Sequence, residues 1–236
     1  MVAAALLVNH QTSQPSLSGQ HTVAIPVVPC KVTVSGAPSP VPTPAVSSET
    51  VVLPNSVASR LTFYGISAGE TILAPRGWDC SASIWAVNSE ITIASPSDRD
   101  EAVMVYDGGS LEYILGLSCQ FFPEAMSLWI QDFPDEPCDH PPPAGEVIRS
   151  DGPDFVRFTD PAGLTGGLGG MSDWPYPVES AALFSVVPTN ATALNISRIV
   201  ASKASCAMAP ADMDLCDAII ADWITRSAAS ADIPAP

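Results

Sequence analysis

The sequence predicts an α+β fold of mostly short antiparallel strands, with one helix in mid-chain, one at the C-terminus, and disulfides to hold it. Three observations predict it. Short runs rich in Val, Ile, Thr and aromatics recur between turn residues. The chain carries 24 prolines and 15 glycines in 236 residues, which forbids long uninterrupted helices because an interior proline removes a donor and clashes with the preceding turn. Six cysteines fall far apart, at 30, 80, 119, 138, 206 and 216, without a C-x-x-C pair. An even, widely spaced set reads as three bridges rather than a zinc site.

The first 24 residues read as a leader. Val2 to Val8 is an apolar run at the short limit for a signal h-region, although no Lys or Arg precedes it and no small-residue cleavage site follows. Residues 9–24 are polar and unpatterned. A single domain is expected over 25–230, opening with a strand at Lys31 to Val34. A Pro-rich connector over 35–48 follows, its prolines at 38, 40, 42 and 44 forcing extended chain. Further strands are expected at Thr50 to Leu53, Arg60 to Tyr64, Glu70 to Ala74, Ala82 to Val87, Glu90 to Ala94 and Ala102 to Tyr106, the spacing of an antiparallel meander. Asp107-Gly108-Gly109 closes the last.

Ser110 is placed to cap a helix from Leu111 to about Phe122, where Leu111, Ile114, Leu115 and Cys119 recur at helical spacing and Pro123 ends it. Residues 131–145 are acidic, Pro-dense loop. Val147 to Ile148 and Val156 to Phe158 read as strands, the glycines from Gly163 to Gly170 as a surface loop, and Ala182 to Val187 and Ser197 to Val200 as strands again. The final helix is the clearest. Pro210 suits its first position, Asp212 and Asp214 its positive end, and Leu215, Ile219, Ile220 and Trp223 form one apolar face. Residues 231–236 read as a tail.

Six cysteines allow 15 pairings. Cys206 with Cys216 is the first expectation, because so short a segment turning at Pro210 would pin the last helix to the preceding strand. Cys30 with Cys80 and Cys119 with Cys138 is the simplest assignment of the rest. Three bridges imply an oxidising compartment and hence a secreted or extracytoplasmic protein.

Cys30-Lys31-Val32-Thr33, Val51-Val52-Leu53-Pro54, Leu61-Thr62-Phe63-Tyr64-Gly65 and Leu73-Ala74-Pro75-Arg76-Gly77-Trp78-Asp79-Cys80 together resemble a group of actinobacterial secreted proteins of uncharacterised function. The likeness continues through Cys119 with Phe122-Pro123, Gly145-Glu146-Val147, and Cys206 to Cys216 with its helix, covering residues 25–228. The Pro-Arg-Gly-Trp-x-Cys element is its most specific part. The glycine loop departs from it, reading Gly-Leu-Gly-Gly-Met-Ser where the family has a Pro-Ser-Gly-Gly stretch. The resemblance implies export and disulfides, and no particular activity.

Charge narrows the partners. With 25 acidic and 9 basic residues the formal net charge is −16, a field that repels nucleic acid and anionic membrane surfaces. Acidity also keeps an apolar-rich chain soluble. No apolar stretch is long enough to be a transmembrane segment.

Each candidate for chemistry has a plainer account beside it. Gly65-Ile66-Ser67-Ala68-Gly69 fits G-x-S-x-G, but the elbow needs a helix after Ser67 and Thr71-Ile72-Leu73 reads as a strand, so a hairpin turn is the better account. A triad would have only His140 after the serine, set between Asp139 and three prolines like a solvated loop residue. His10 and His21 fall in the leader segment. Asp132, Asp135, Glu136 and Asp139 offer hard oxygen ligands beside Cys138, without the spacing of a calcium loop, and read more simply as solvated charge. A carboxyl pair for sugar cleavage could come from them or from Asp98, Asp100 and Glu101. Asn190 and Asn195 head glycosylation acceptor triplets that matter only in a eukaryotic host. Of five tryptophans, Trp78 and Trp85 fit packing across strands and Trp223 fits a core plug, while Trp174 and Tyr176, following the glycine loop, form the aromatic group for ligand recognition. No cofactor is expected.

The resulting expectation is a non-catalytic extracytoplasmic domain that binds a cell-envelope component, a peptide or a protein, or acts structurally. The alternative is a secreted hydrolase using Ser67 or an acidic pair.

Overall fold

An apolar run before Cys30 and an alternating one after it carry the chain from one sheet to another. In the computed structural model, which describes residues 20–35, 37–38, 46–66, 70–86, 88–136, 138, 145–163, 174–186 and 199–230, β1 (Gln20–Pro29) and β2 (Lys31–Val34) are successive strands in different sheets. The smaller sheet has the order β4 (Ser48–Pro54), β1, β5 (Leu61–Gly65), β6 (Thr71–Pro75). The larger runs β10 (Val147–Ser150), β11 (Phe155–Asp160), β12 (Val178–Val186), β13 (Ile199–Ala207), β9 (Ala102–Gly108), β8 (Asn88–Ala94), β7 (Asp79–Ile84), β2, β3 (Ala37–Pro38). Mostly strand, with a C-terminal helix and three disulfides, is what the sequence predicts.

Four details differ. The segment read as leader contributes Gln20 to Ala24 to β1, because His21 to Ile25 pair with Glu49 to Leu53 and the register turns Ile25 into the core. Inside the segment read as connector, Ala37 and Pro38 pair antiparallel with β2, and Ser48 opens β4. The pairing is not wholly antiparallel: β1 lies parallel to β5 and β2 parallel to β7, since one continuous chain runs beside both. Mid-chain there are two helices rather than one, α2 (Leu111–Ser118) and α3 (Pro123–Asp132), besides the single turn α1 (Asn55–Ala58). Pro123 does not merely stop the first helix. It occupies the first turn of the second, where a missing N–H costs nothing.

The chain passes between the sheets again at Arg76 to Asp79. Gly77 turns there at φ +83°, which a β-carbon would strain, and the buried Tyr64 hydroxyl lies 2.9 Å from the Pro75 and Trp78 carbonyls. The Cys30–Cys80 bridge joins these two crossing points, so the Pro-Arg-Gly-Trp-x-Cys element is the device that holds one sheet against the other. Cys119–Cys138 closes α2 and α3 into a hairpin, and Cys206–Cys216 ties β13 to α4 (Met213–Ser230) through a 3₁₀ turn at Pro210.

Side chains alternate across the larger sheet, and both faces are covered over β11, β12 and β13. Phe155, Ala181, Leu183, Ala204, Ile91, Ile93, Val103 and Val105 face the smaller sheet and α4, where Leu215, Ile219, Ile220, Trp223 and Ile224 complete one core. Val156, Phe158, Ala182 and Phe184 face the other way, against Ile114, Leu115, Phe122, Ala125 and Trp129 of the helical hairpin. Gly116 lets the two helices close: a β-carbon there would sit 3.3 Å from the Trp129 ring. None of the helices among the described residues is long and apolar enough to cross a membrane.

Candidate functional site

Where β6 ends the smaller sheet, the two sheets and α4 fail to close on one another. A cleft of about 600 Å³ remains between β6, the central strands β9 and β13, and the last three turns of α4. Strand periodicity directs Val103, Val105 and Asp107 of β9 and Val200, Ser202 and Ala204 of β13 into it. Helical periodicity does the same for Ile219, Asp222, Trp223, Arg226 and Ser230, and Glu70 enters from the residue before β6. The floor is apolar: Val105, Ala204 and Ile219 are almost fully buried.

The polar groups are unevenly matched. Arg226 is the one basic residue among those lining the cleft, and its guanidinium is taken up by Asp222 at 2.8 Å and by Glu49 of β4, while it lies 4.2 Å over the Phe63 ring. Glu49 is in turn fixed by the Thr71 hydroxyl at 2.6 Å. Burial pushes the Asp222 carboxyl up to about 6, against the opposing pull of Arg226. Glu70 and Asp107 stand on the open side. Loss of hydration raises both, and the nearby Asp107 charge raises Glu70 further; donations from the Gly108 N–H and the Ser202 hydroxyl oppose the rise at Asp107. Neither forms an ion pair among the described residues.

A second ionisable cluster lies on the opposite face. Burial, then the neighbouring Asp160 carboxyl, drives Glu146 up to about 7, and burial drives Lys203 down to about 8 although Asp160 and Glu146 both attract it. Lys203 Nζ sits 5.6 Å above the Phe158 ring centroid.

The residues singled out by sequence go elsewhere. Ser67, Asp139, His140 and the glycines from 166 to 170 lie outside the described residues, as do both glycosylation asparagines. Asp132, Asp135 and Glu136 are exposed at the end of α3, and among the described residues there is no group of three or more potential metal ligands. The Glu136 carbonyl accepts from the Trp129 indole at 2.9 Å, which folds this segment back on its helix. Asp98 and Glu101 are employed structurally, accepting from the Tyr176 hydroxyl at 2.8 Å and the Ala209 N–H at 3.1 Å. Tyr176 is thereby held against the loop, and Trp174 packs on Ala102, Val178 and Ala207 while its carbonyl accepts from Gly163. The aromatic pair is half-buried packing rather than a displayed surface; Trp85 is the exposed one, at 43%.

Sequence reasoning missed the cleft because its parts have no common spacing. Asp107 read as a turn residue, since Gly108 and Gly109 follow it, yet it is still in β9. One signal was present: Asp222 and Arg226 stand one turn apart on the same side as Ile219 and Trp223. Comparison with known families, curated proteins and solved structures gives no match, so the cleft is read from its own residues.

Proposed function

We propose that this chain is an extracytoplasmic binding domain of the secreted actinobacterial type it resembles, and that the cleft between its two sheets receives the ligand. Three disulfides support an oxidising destination. The observation that carries the binding role is the cleft itself: an apolar floor rimmed by a few convergent polar groups with displaced pKa values is the usual form of a small-molecule site. Its walls are central strands and a disulfide-anchored helix, elements that hold geometry without a ligand.

A fragment screen by amide-resolved NMR on the oxidised protein tests this. Hits are expected to perturb Val105, Asp107, Ala204 and the Trp223 indole together. Perturbations confined to the helical hairpin, or none at all, would remove the cleft from consideration.

A further inference from the structure

We infer that the ligand of this cleft is an organic cation, its ammonium group held between Glu70 and Asp107 and its apolar part laid on Val105, Ala204, Ile219 and Trp223. The inference rests on the binding role proposed above and adds the chemical class.

The argument is one of charge balance inside a defined space. Three carboxyls, Glu70, Asp107 and Asp222, line the cleft against a single guanidinium. That guanidinium is already shared by Asp222 and Glu49, so it offers little to an anionic ligand and does nothing for the other two. Glu70 and Asp107 are left facing the same space without a counter-ion among the described residues. The Asp107 charge adds to the rise that burial imposes on Glu70, and a cation between the two carboxyls would relieve it. A neutral ligand would cover these carboxylates and strip their water without compensation, which is costly. An anion would add repulsion. The apolar floor needs a hydrocarbon or ring to displace its water, so a bare inorganic ion would leave most of the space unused. A formal net charge of −16 favours the approach of any cation over that of an anion.

The carboxylates also set a pH signature. The groups facing Glu70 and Asp107 are Ser202 from β13 and, across the cleft, Asp222 and Arg226 of α4 with Glu49 of β4 behind them. Because Glu70 and Asp107 are raised, the cation binds more tightly as pH increases through their titration and weakens in acid.

The test is calorimetric titration of the full chain, bridges intact, with hexylammonium, hexan-1-ol and hexanoate at about pH 8 and low salt, where screening is weak. Hexylammonium is expected to bind about tenfold more tightly than hexanol, the worth of one well-placed charge contact, and hexanoate not to bind. In the double variant Glu70→Gln and Asp107→Asn, which change little in shape at residues on the open side of the cleft, hexylammonium falls to the level of hexanol. NMR on the unaltered protein gives a readout that does not depend on the variant folding: the Asp107 amide and the Trp223 indole shift together. Equal binding of hexanol and hexylammonium overturns the cationic class while leaving the cleft as a ligand site. Binding by none of the three overturns both.

Discussion

Glu179 shows how a charged residue can belong to a core. It is 3% exposed near the start of β12, and its Oε1 accepts from Arg157 at 2.8 Å and from Arg149 at 3.2 Å, while Oε2 accepts from Thr159 at 2.6 Å. Removing the charge leaves Arg157, which is itself largely buried, with only the more exposed Asp217 at 3.2 Å and Asp151 at 3.9 Å. Glu179→Gln is therefore expected to lose about 3 kcal/mol of stability in urea titration, and Arg157→Gln a similar amount. An unchanged midpoint for both would mean the cluster is solvated. Carboxyls raised by burial make stability depend on pH, Glu146 and Asp222 among them. Glu146 rises from 4.5 to about 7 and Asp222 from 3.8 to about 6 on folding, so the native state holds protons that the unfolded chain releases. Their contribution is complete below about pH 4 and disappears as pH rises through 6 and 7. Stability should fall by about 2 kcal/mol between pH 4.5 and 7.5 after discounting for solvent screening, and Glu146→Gln should flatten the upper part of that fall. Lys203 acts in a separate window, since its depressed value makes stability rise with pH above about 8.

The elements differ in how clearly their residues announce them. β2 and the apolar face of α4 read directly, because one alternates and the other repeats at helical spacing. β12 and β13 are covered on both faces, so the alternation that marks a half-solvated strand is absent. Glu179 and Ser180 disguised the start of one, and Ser202, Lys203 and Ser205 disguised most of the other. Their polar groups are satisfied by partners on other elements, as in the 2.9 Å bond from Ser180 to Ser205, and no local rule foresees that. The bridges divide the elements by loop size. Chain-entropy arguments give about 4 kcal/mol for Cys30–Cys80, which closes 50 residues, and about 3 kcal/mol for Cys206–Cys216, which closes 10. Paired Cys→Ala variants in denaturant melts should keep that order. Loss of the Cys30 pair should also raise amide exchange in β1 and β2 together, because both sheet crossings are freed.

For the whole molecule, the excess of acid over base has an energetic side: self-repulsion opposes the compact state and salt relieves it. Raising sodium chloride from about 10 to about 200 mM should increase Tm by a few degrees, the equivalent of less than about 1 kcal/mol for a chain of this length. A fall in Tm would mean the ion pairs of Arg157 and Arg226 outweigh the general repulsion. The same salt should weaken hexylammonium binding in the cleft, as charge attraction requires. What the sequence by itself determined was a mostly strand fold, most strand positions and the final helix, since these follow from periodicity and turn chemistry, while the cysteine pairing stayed one of the 15 that six cysteines allow. Tertiary structure alone decided that β1 and β2 belong to different sheets, that a second helix follows Pro123, and that Glu70, Asp107, Ser202 and Asp222 border one space. Those residues are brought together by strand order and sheet packing, which arise from contacts between distant segments and leave no periodic trace in either one.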